Sequence, residues 1–421
     1  MLVVALVITV GAIVFAVLAR RMGEKRARAP VSVEEKVPAF QVVALGLQGS
    51  GKTLLLASMY HCLRVPAGQS YFLHAPYRDV LQLNQWYAEM ADTGSSHLWP
   101  RGTAKGETRH FVFTVKTGVG GTPHPMFHLK YLEYAGELLT EPQDEGSGRQ
   151  DELFAHIKEA DALLGVIDGY RIRQHLDGHP AGAVHLERTL NALLPAMIEA
   201  SCPISFVITK WDLLADRYPD EGRRLSVVHD LLMSNAHFRS LVHMHGSTRI
   251  MRLVPVSAVG HGFATVDTEG DIVKTATAAV QPANVDVPLS AVVPDLFDQV
   301  EARLTRENLA ALDAEARRRR HQGPLEALAS LTAFGGQIAG RALLAAFGPV
   351  AAVALGDTLL GLFLDSRGGP QRHDPVTEEL NAAERRLDEL ATARRRVLHD
   401  MRRKVNMLEG RLPHTRLSSE H

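Results

Sequence analysis

The chain has 421 residues, 46% of them hydrophobic, enough for one large domain or two to three modest ones with a buried core. Its net charge of −1, from 46 Lys and Arg against 47 Asp and Glu, hides segregation, because basic clusters gather near both ends. Only two cysteines are present, Cys62 and Cys202, which excludes a disulfide framework and points to buried thiols in a reducing compartment.

Leu2 to Ala19 is an uninterrupted run of apolar or small residues, about long enough for one helix to cross the hydrocarbon layer. The positive charge follows the run, at Arg20, Arg21, Lys25, Arg26 and Arg28, which is the wrong side for a cleaved secretory signal. Residues 1–20 are therefore expected to form a transmembrane anchor, with the positive flank and all that follows in the cytoplasm. Residues 21–38, charged and ending at Pro38, read as a juxtamembrane linker whose basic side chains can rest on anionic lipid.

The strand-like run Phe40 to Leu45 leads into Gly46-Leu47-Gln48-Gly49-Ser50-Gly51-Lys52-Thr53, and a helix is expected from Leu54 onward. This fits the spacing G-x-x-x-x-G-K-[ST] of a phosphate-cradling loop in its strand–loop–helix context. Glycines let backbone N–H groups wrap a phosphate and the helix N-terminus adds positive potential. Lys52 is expected to reach β- and γ-phosphates, and the Thr53 hydroxyl to bind Mg²⁺. The stretch Tyr77 to Met90 carries apolar residues at near-helical spacing and reads as packing. In Leu98 to Thr103, a polar, glycine-flanked segment ahead of a strand, Thr103 is a candidate for closing over Mg²⁺ and the γ-phosphate, with Thr108 as its competitor.

Two strands are expected over His110–Val115 and Met126–Leu132, joined by a glycine- and proline-rich hairpin connection. The second runs into Glu133-Tyr134-Ala135-Gly136-Glu137. An acidic strand end with a glycine three residues on can hold the Mg²⁺ shell and sense the γ-phosphate, and Glu137 stands where a water-orienting residue would sit. A carboxylate there either positions water or repels the phosphate and slows hydrolysis. Further strands over Ala160–Asp168, Pro203–Ile208 and Arg252–Val256 alternate with helical signals over Glu152–Glu159 and Ala183–Ala200, arguing for a parallel α/β sheet. The run Pro203–Ile208 delivers Thr209-Lys210-Trp211-Asp212. An aspartate at a strand's carboxyl end can accept from both N1–H and the exocyclic amine of guanine, and the Lys210 stem can lie along the base. Ser257-Ala258 ends the last strand, where a small residue's N–H can meet the guanine carbonyl.

Taken together, Gly46 to Thr53, Thr103, Glu133 to Glu137, Thr209 to Asp212 and Ser257-Ala258 resemble the five ordered motifs of the translation-factor and Ras-like P-loop GTPase class. The resemblance covers residues 39–310. It implies a six-stranded Ras-like sheet flanked by helices, GTP/GDP as ligand, Mg²⁺ as cofactor and cycling between two nucleotide states. Within the class, Trp99 to Thr103, Tyr134 to Glu137 and Pro282 to Leu289 are similar to bacterial GTPase domains. Glu133 stands where the class has aspartate and Thr209 where it has asparagine.

Beyond Arg317–Arg320, residues 323–366 are apolar and rich in glycine and alanine, divided by Arg341 and Asp357. A packed or membrane-surface helical hairpin is expected, with a re-entrant or double-crossing hairpin as the alternative. Residues 376–412 place Leu380, Leu387, Leu390, Val397, Met401 and Leu408 on one heptad seam, the pattern of a coiled coil. Its partner is a second copy or the chain's own helices, and arginine clusters without aromatic interleaving do not favour nucleic acid. The leading expectation is thus a single-pass, membrane-anchored cytoplasmic GTP-binding protein, a slow GTPase switching an unknown protein partner. The alternatives are a membrane-anchored P-loop ATPase and an assembly scaffold whose nucleotide is never turned over.

Overall fold

The computed structural model describes residues 37–103, 107–119, 121–134, 138, 148–246, 248–296, 298 and 375–417, with the backbone alone for 149, 375–388 and 391. The expected anchor, the 323–366 hairpin, and Gly136 and Glu137 lie outside these residues. Among the described residues no helix is long and apolar enough to cross a membrane.

The molecule is α/β, with a mostly parallel central sheet flanked by helices. In chain order the principal elements are β1 (Ala39–Leu45), α1 (Lys52–Leu63), β2 (Tyr71–His74), α2 (Tyr77–Ala91), β3 (Thr108–Val119) and β4 (Thr122–Tyr134). Next come α3 (Arg149–Lys158), β5 (Ala162–Asp168), α4 (Gly169–Leu176), α5 (Pro180–Ile198), β6 (Ile204–Thr209), α6 (Glu221–Ser234), α7 (Ala236–His245) and β7 (Met251–Pro255). The hairpin β8 (Ala264–Val266) and β9 (Ile272–Lys274) follows, then a helical stretch over 287–296, α8 (Pro375–Arg411) and β10 (Arg416–Leu417).

The sheet order is β10-β7-β6-β5-β1-β4-β3-β2. Strands β4, β1, β5, β6 and β7 are parallel, whereas β3 pairs antiparallel with β4, β2 with β3 and β10 with β7. Eight strands stand where six were expected; the additional two, β2 and β10, are short edges. Every residue of β5, β6 and β7 is buried, as parallel strands covered on both faces should be. Parallel neighbours need crossovers, and helices lie on each: α1 and α2 between β1 and β4, α4 and α5 between β5 and β6, and α6 and α7 between β6 and β7. The chain leaves β1 toward β4 on one side, and β5 returns to the other, so a crevice opens at the carboxyl end of β1, where such sheets bind ligands.

Helix α2 buries Leu83, Trp86 and Met90, at the spacing that made it legible as a packing helix. The C-terminal half of the heptad seam has an intramolecular partner: Leu390, Val397, Met401 and Leu408 join the main core. Polar contacts hold this docking: Asp400 accepts from the Ser70 amide at 2.8 Å, Lys404 pairs with Asp286 at 2.5 Å, and buried Arg252 pairs with Asp295 at 2.6 Å and with Glu409 of α8. Of the two cysteines, Cys202 is buried as expected, but Cys62 is only half-buried; neither forms a disulfide.

Candidate functional site

The crevice contains a cavity of about 260 Å³ lined by Gln48 to Leu55, Thr103, Glu133, Thr209, Lys210, Asp212 and Ala258, together with Trp99, Val259, Ala264 and Ile272. Residues predicted from five separate stretches of sequence therefore share one wall.

At one end the loop between β1 and α1 turns through Gly49 and Gly51, at φ 76° and 89°. Gly51 is the N-cap of α1, in a left-handed conformation that a side chain disfavours. Gly46 is required for a different reason: a Cβ there would lie 2.8 Å from the Val166 carbonyl of β5. Lys52 is buried, and its ammonium donates to the carbonyls of Gly46 at 2.7 Å and Leu47 at 3.3 Å. The Thr209 hydroxyl donates to the Ser50 carbonyl at 2.6 Å, so Thr209 braces the loop from β6 in addition to lining the cavity.

Beside the loop, Thr53, Thr103 and Glu133 converge. Glu133 is fully buried at the end of β4; its Oε1 accepts from the Thr103 hydroxyl and lies 3.5 Å from Thr53 Oγ1, long for a hydrogen bond. Glu133 Oε2 and Ser50 Oγ are buried without a hydrogen-bond partner among the described residues. Such orphaned buried oxygens are rare and call for an explanation such as an ion or ligand. Thr103, rather than Thr108, reaches this cluster: Thr108 pairs with Tyr134 in the β3–β4 ladder. Arg109, which sequence reading missed, also enters, donating to Thr53 Oγ1 at 3.2 Å and to the Gly102 carbonyl at 3.1 Å.

At the other end Asp212 is buried, and burial raises its carboxyl above the usual carboxylate range. Its Oδ1 accepts from the Ser257 hydroxyl at 2.5 Å, and Ser257 Oγ in turn accepts from the Gly260 amide at 2.7 Å. The Ser257 amide is used by Ala283, so Ser257 acts as a brace while Ala258 faces the cavity. Lys210 has φ 50° and its ammonium pairs with Asp168 at 2.7 Å, which fixes its stem along the cavity wall.

A roof that sequence reading did not anticipate covers this end. Trp99 Nε1 donates to the Ile272 carbonyl of β9 at 2.9 Å, and packs edge-to-face on Phe263. Lys274 ties the hairpin to the end of α2, donating to the carbonyls of Glu89 at 2.6 Å and Asp92 at 2.7 Å. These terminal helix carbonyls would otherwise lack partners. Burial lowers the Lys274 pKa, and its ammonium lies 5.0 Å from the Trp99 ring centre.

No family model matches the chain, and no curated protein matches it. Among the described residues, no group of three or more His, Cys, Asp or Glu side chains is arranged to hold a metal ion. A cation at Glu133 would therefore need threonine hydroxyl, water or ligand oxygens to complete its shell. The orphaned Glu133 Oε2 and the two converging hydroxyls fit that requirement for a hard divalent cation.

Proposed function

We propose that the chain is a GTP-binding protein of the Ras-like P-loop class, a slow GTPase that switches a protein partner from the cytoplasmic face of a membrane. The observation that carries this reading is that the glycine-rich loop, the Thr53–Thr103–Glu133 cluster and Asp212 line one cavity. The order of the six central strands, with the loop on β1 and the acidic end on the adjacent β4, supports this reading. Membrane attachment rests on the apolar run Leu2 to Ala19 and the basic residues after it.

In this reading the loop amides and Lys52 bind the phosphates, Lys52 exchanging the Gly46 and Leu47 carbonyls for phosphate oxygens. Thr53, Thr103 and Glu133 hold Mg²⁺, which when bound supplies charge neutralisation at the β- and γ-phosphates. Asp212 selects the base: a carboxylate offers about four acceptor positions. Ser257 occupies one and leaves others for two guanine donors, which adenine cannot supply. Gly136 and Glu137 are assigned to γ-phosphate sensing and water positioning from their place after β4. The substitution of glutamate for aspartate at 133 lengthens the metal-holding side chain, which fits slow turnover better than weak binding.

The nucleotide carried by the purified full chain tests this assignment. After denaturation and chromatography, GDP or GTP is expected in near-stoichiometric amount; adenine nucleotide in that amount would contradict it. Turnover above the Lys52→Ala background is the companion measurement, and its absence would leave a binding protein without catalysis.

A further inference from the structure

Arg109 is held at the phosphate end of the cavity by an unusual set of contacts. Its side chain is only 12% exposed, with Nε donating to Glu107 at 3.0 Å and the guanidinium carbon 4.7 Å from the Trp86 ring centre. Across the ladder its partner is Glu133, yet Nη1 donates to Thr53 Oγ1, and Nη2 to Gly102 O and, at 3.4 Å, to the second Glu107 oxygen. The Thr53 oxygen is the one a metal ion would use. A hydroxyl presents its lone pairs to a guanidinium donor or to a cation, and the two positive charges repel at this separation.

We propose that Arg109 competes with Mg²⁺ for the Thr53 hydroxyl and thereby sets the metal concentration at which the site loads. This rests on the GTP-site reading above. In the metal-free arrangement Arg109 supplies positive charge beside the Glu133 carboxylate. When metal loads, Arg109 gives up Thr53 and keeps Glu107 and the Trp86 face, contacts it already makes. Because the same guanidinium holds the Gly102 carbonyl next to Thr103, release from Thr53 is transmitted to the segment that must close over the metal. The device ties loading to loop position through one side chain.

The test is a MgCl₂ titration of full-length protein with a fluorescent GDP analogue, reading the metal concentration at half-maximal binding. Arg109→Gln is expected to lower that concentration about tenfold, the effect of removing one charge-assisted hydrogen bond that opposes the metal. Arg109→Lys keeps the charge but loses the planar fork, and is expected to lower it about threefold. In a Thr53→Ala background neither change should move the midpoint. A midpoint unmoved or raised by Arg109→Gln overturns the competition. A midpoint lowered by Gln but unchanged by Lys also overturns it, leaving long-range charge as the cause. If the wild-type chain binds no guanine nucleotide at all, the GTP reading falls and this proposal falls with it. Binding with an insensitive midpoint removes only the role of Arg109.

Discussion

The two ends of the cavity are built by different means. The phosphate end is made largely by one β–loop–α unit, in which consecutive residues and two left-handed glycines set the geometry. The base end is assembled from Asp212, Ser257, Gly260 and a roof joining Trp99 to Ile272 across 173 positions. The first is fixed by local backbone conformation and the second by tertiary contacts. The end assigned to phosphate should therefore fail chiefly when its own residues or the single Thr209 brace change, whereas the end assigned to the base should fail when any of several remote supports is removed.

The sharpest way to break this contrast is a glycine that touches no ligand. Gly260 has φ 89° and a Cβ there would sit 2.1 Å from the Gln281 carbonyl oxygen. Gly260→Ala should cost about 3 kcal/mol or more of stability, seen as a lowered Tm, and weaken guanine binding. At the phosphate end Gly49, with φ 76° but open space around it, should lose only about 1–2 kcal/mol on substitution by alanine. Lys52→Ala should remove about 3 kcal/mol of nucleotide binding, about a hundredfold in Kd, by calorimetry. That loss should be alike for GDP and ADP, because the lysine serves phosphate only.

The base end adds a pH dependence. Burial raises the Asp212 pKa, and in the proposed site guanine would be bound by the ionised form. As pH falls through that raised pKa, protonation removes the acceptor. The ratio of GDP to ADP affinity should therefore decline at a higher pH than an ordinary carboxylate would cause, and stay flat in Asp212→Asn. The smallest effect is expected at the roof: Trp99→Ala should speed GDP dissociation about fivefold, corresponding to about 1 kcal/mol, read by stopped-flow fluorescence.

How much of this was legible in the sequence follows the same division. Strands β1, β5, β6 and β7 are short apolar runs bounded by turn residues, and helix α2 shows its buried face at helical spacing. The phosphate loop carries its whole geometry within eight residues. By contrast, β2 and β10 are edge strands of four and two residues, too short for any periodicity. Helices α4, α6 and α7 carry polar residues that mask their pattern. Arg109 was hidden by register: Val119 pairs with Thr122, and uninterrupted pairing from that turn would set Arg109 opposite Leu132. A shift between Val115 and Lys116 sets it opposite Glu133 instead. The heptad seam on α8 was visible, but a seam does not name its partner, and here its C-terminal half packs into the chain's own core.

The central claim is that Asp212 makes a phosphate-binding crevice into a guanine site. Calorimetric titration of the full chain with Mg²⁺·GTP and Mg²⁺·ATP, repeated for Asp212→Ala, tests it most directly. The account predicts GTP bound at least about fiftyfold more tightly than ATP, and that preference lost in the variant through a fall in GTP affinity of about 2–3 kcal/mol. Equal or tighter binding of ATP, unaffected by Asp212→Ala, would contradict it.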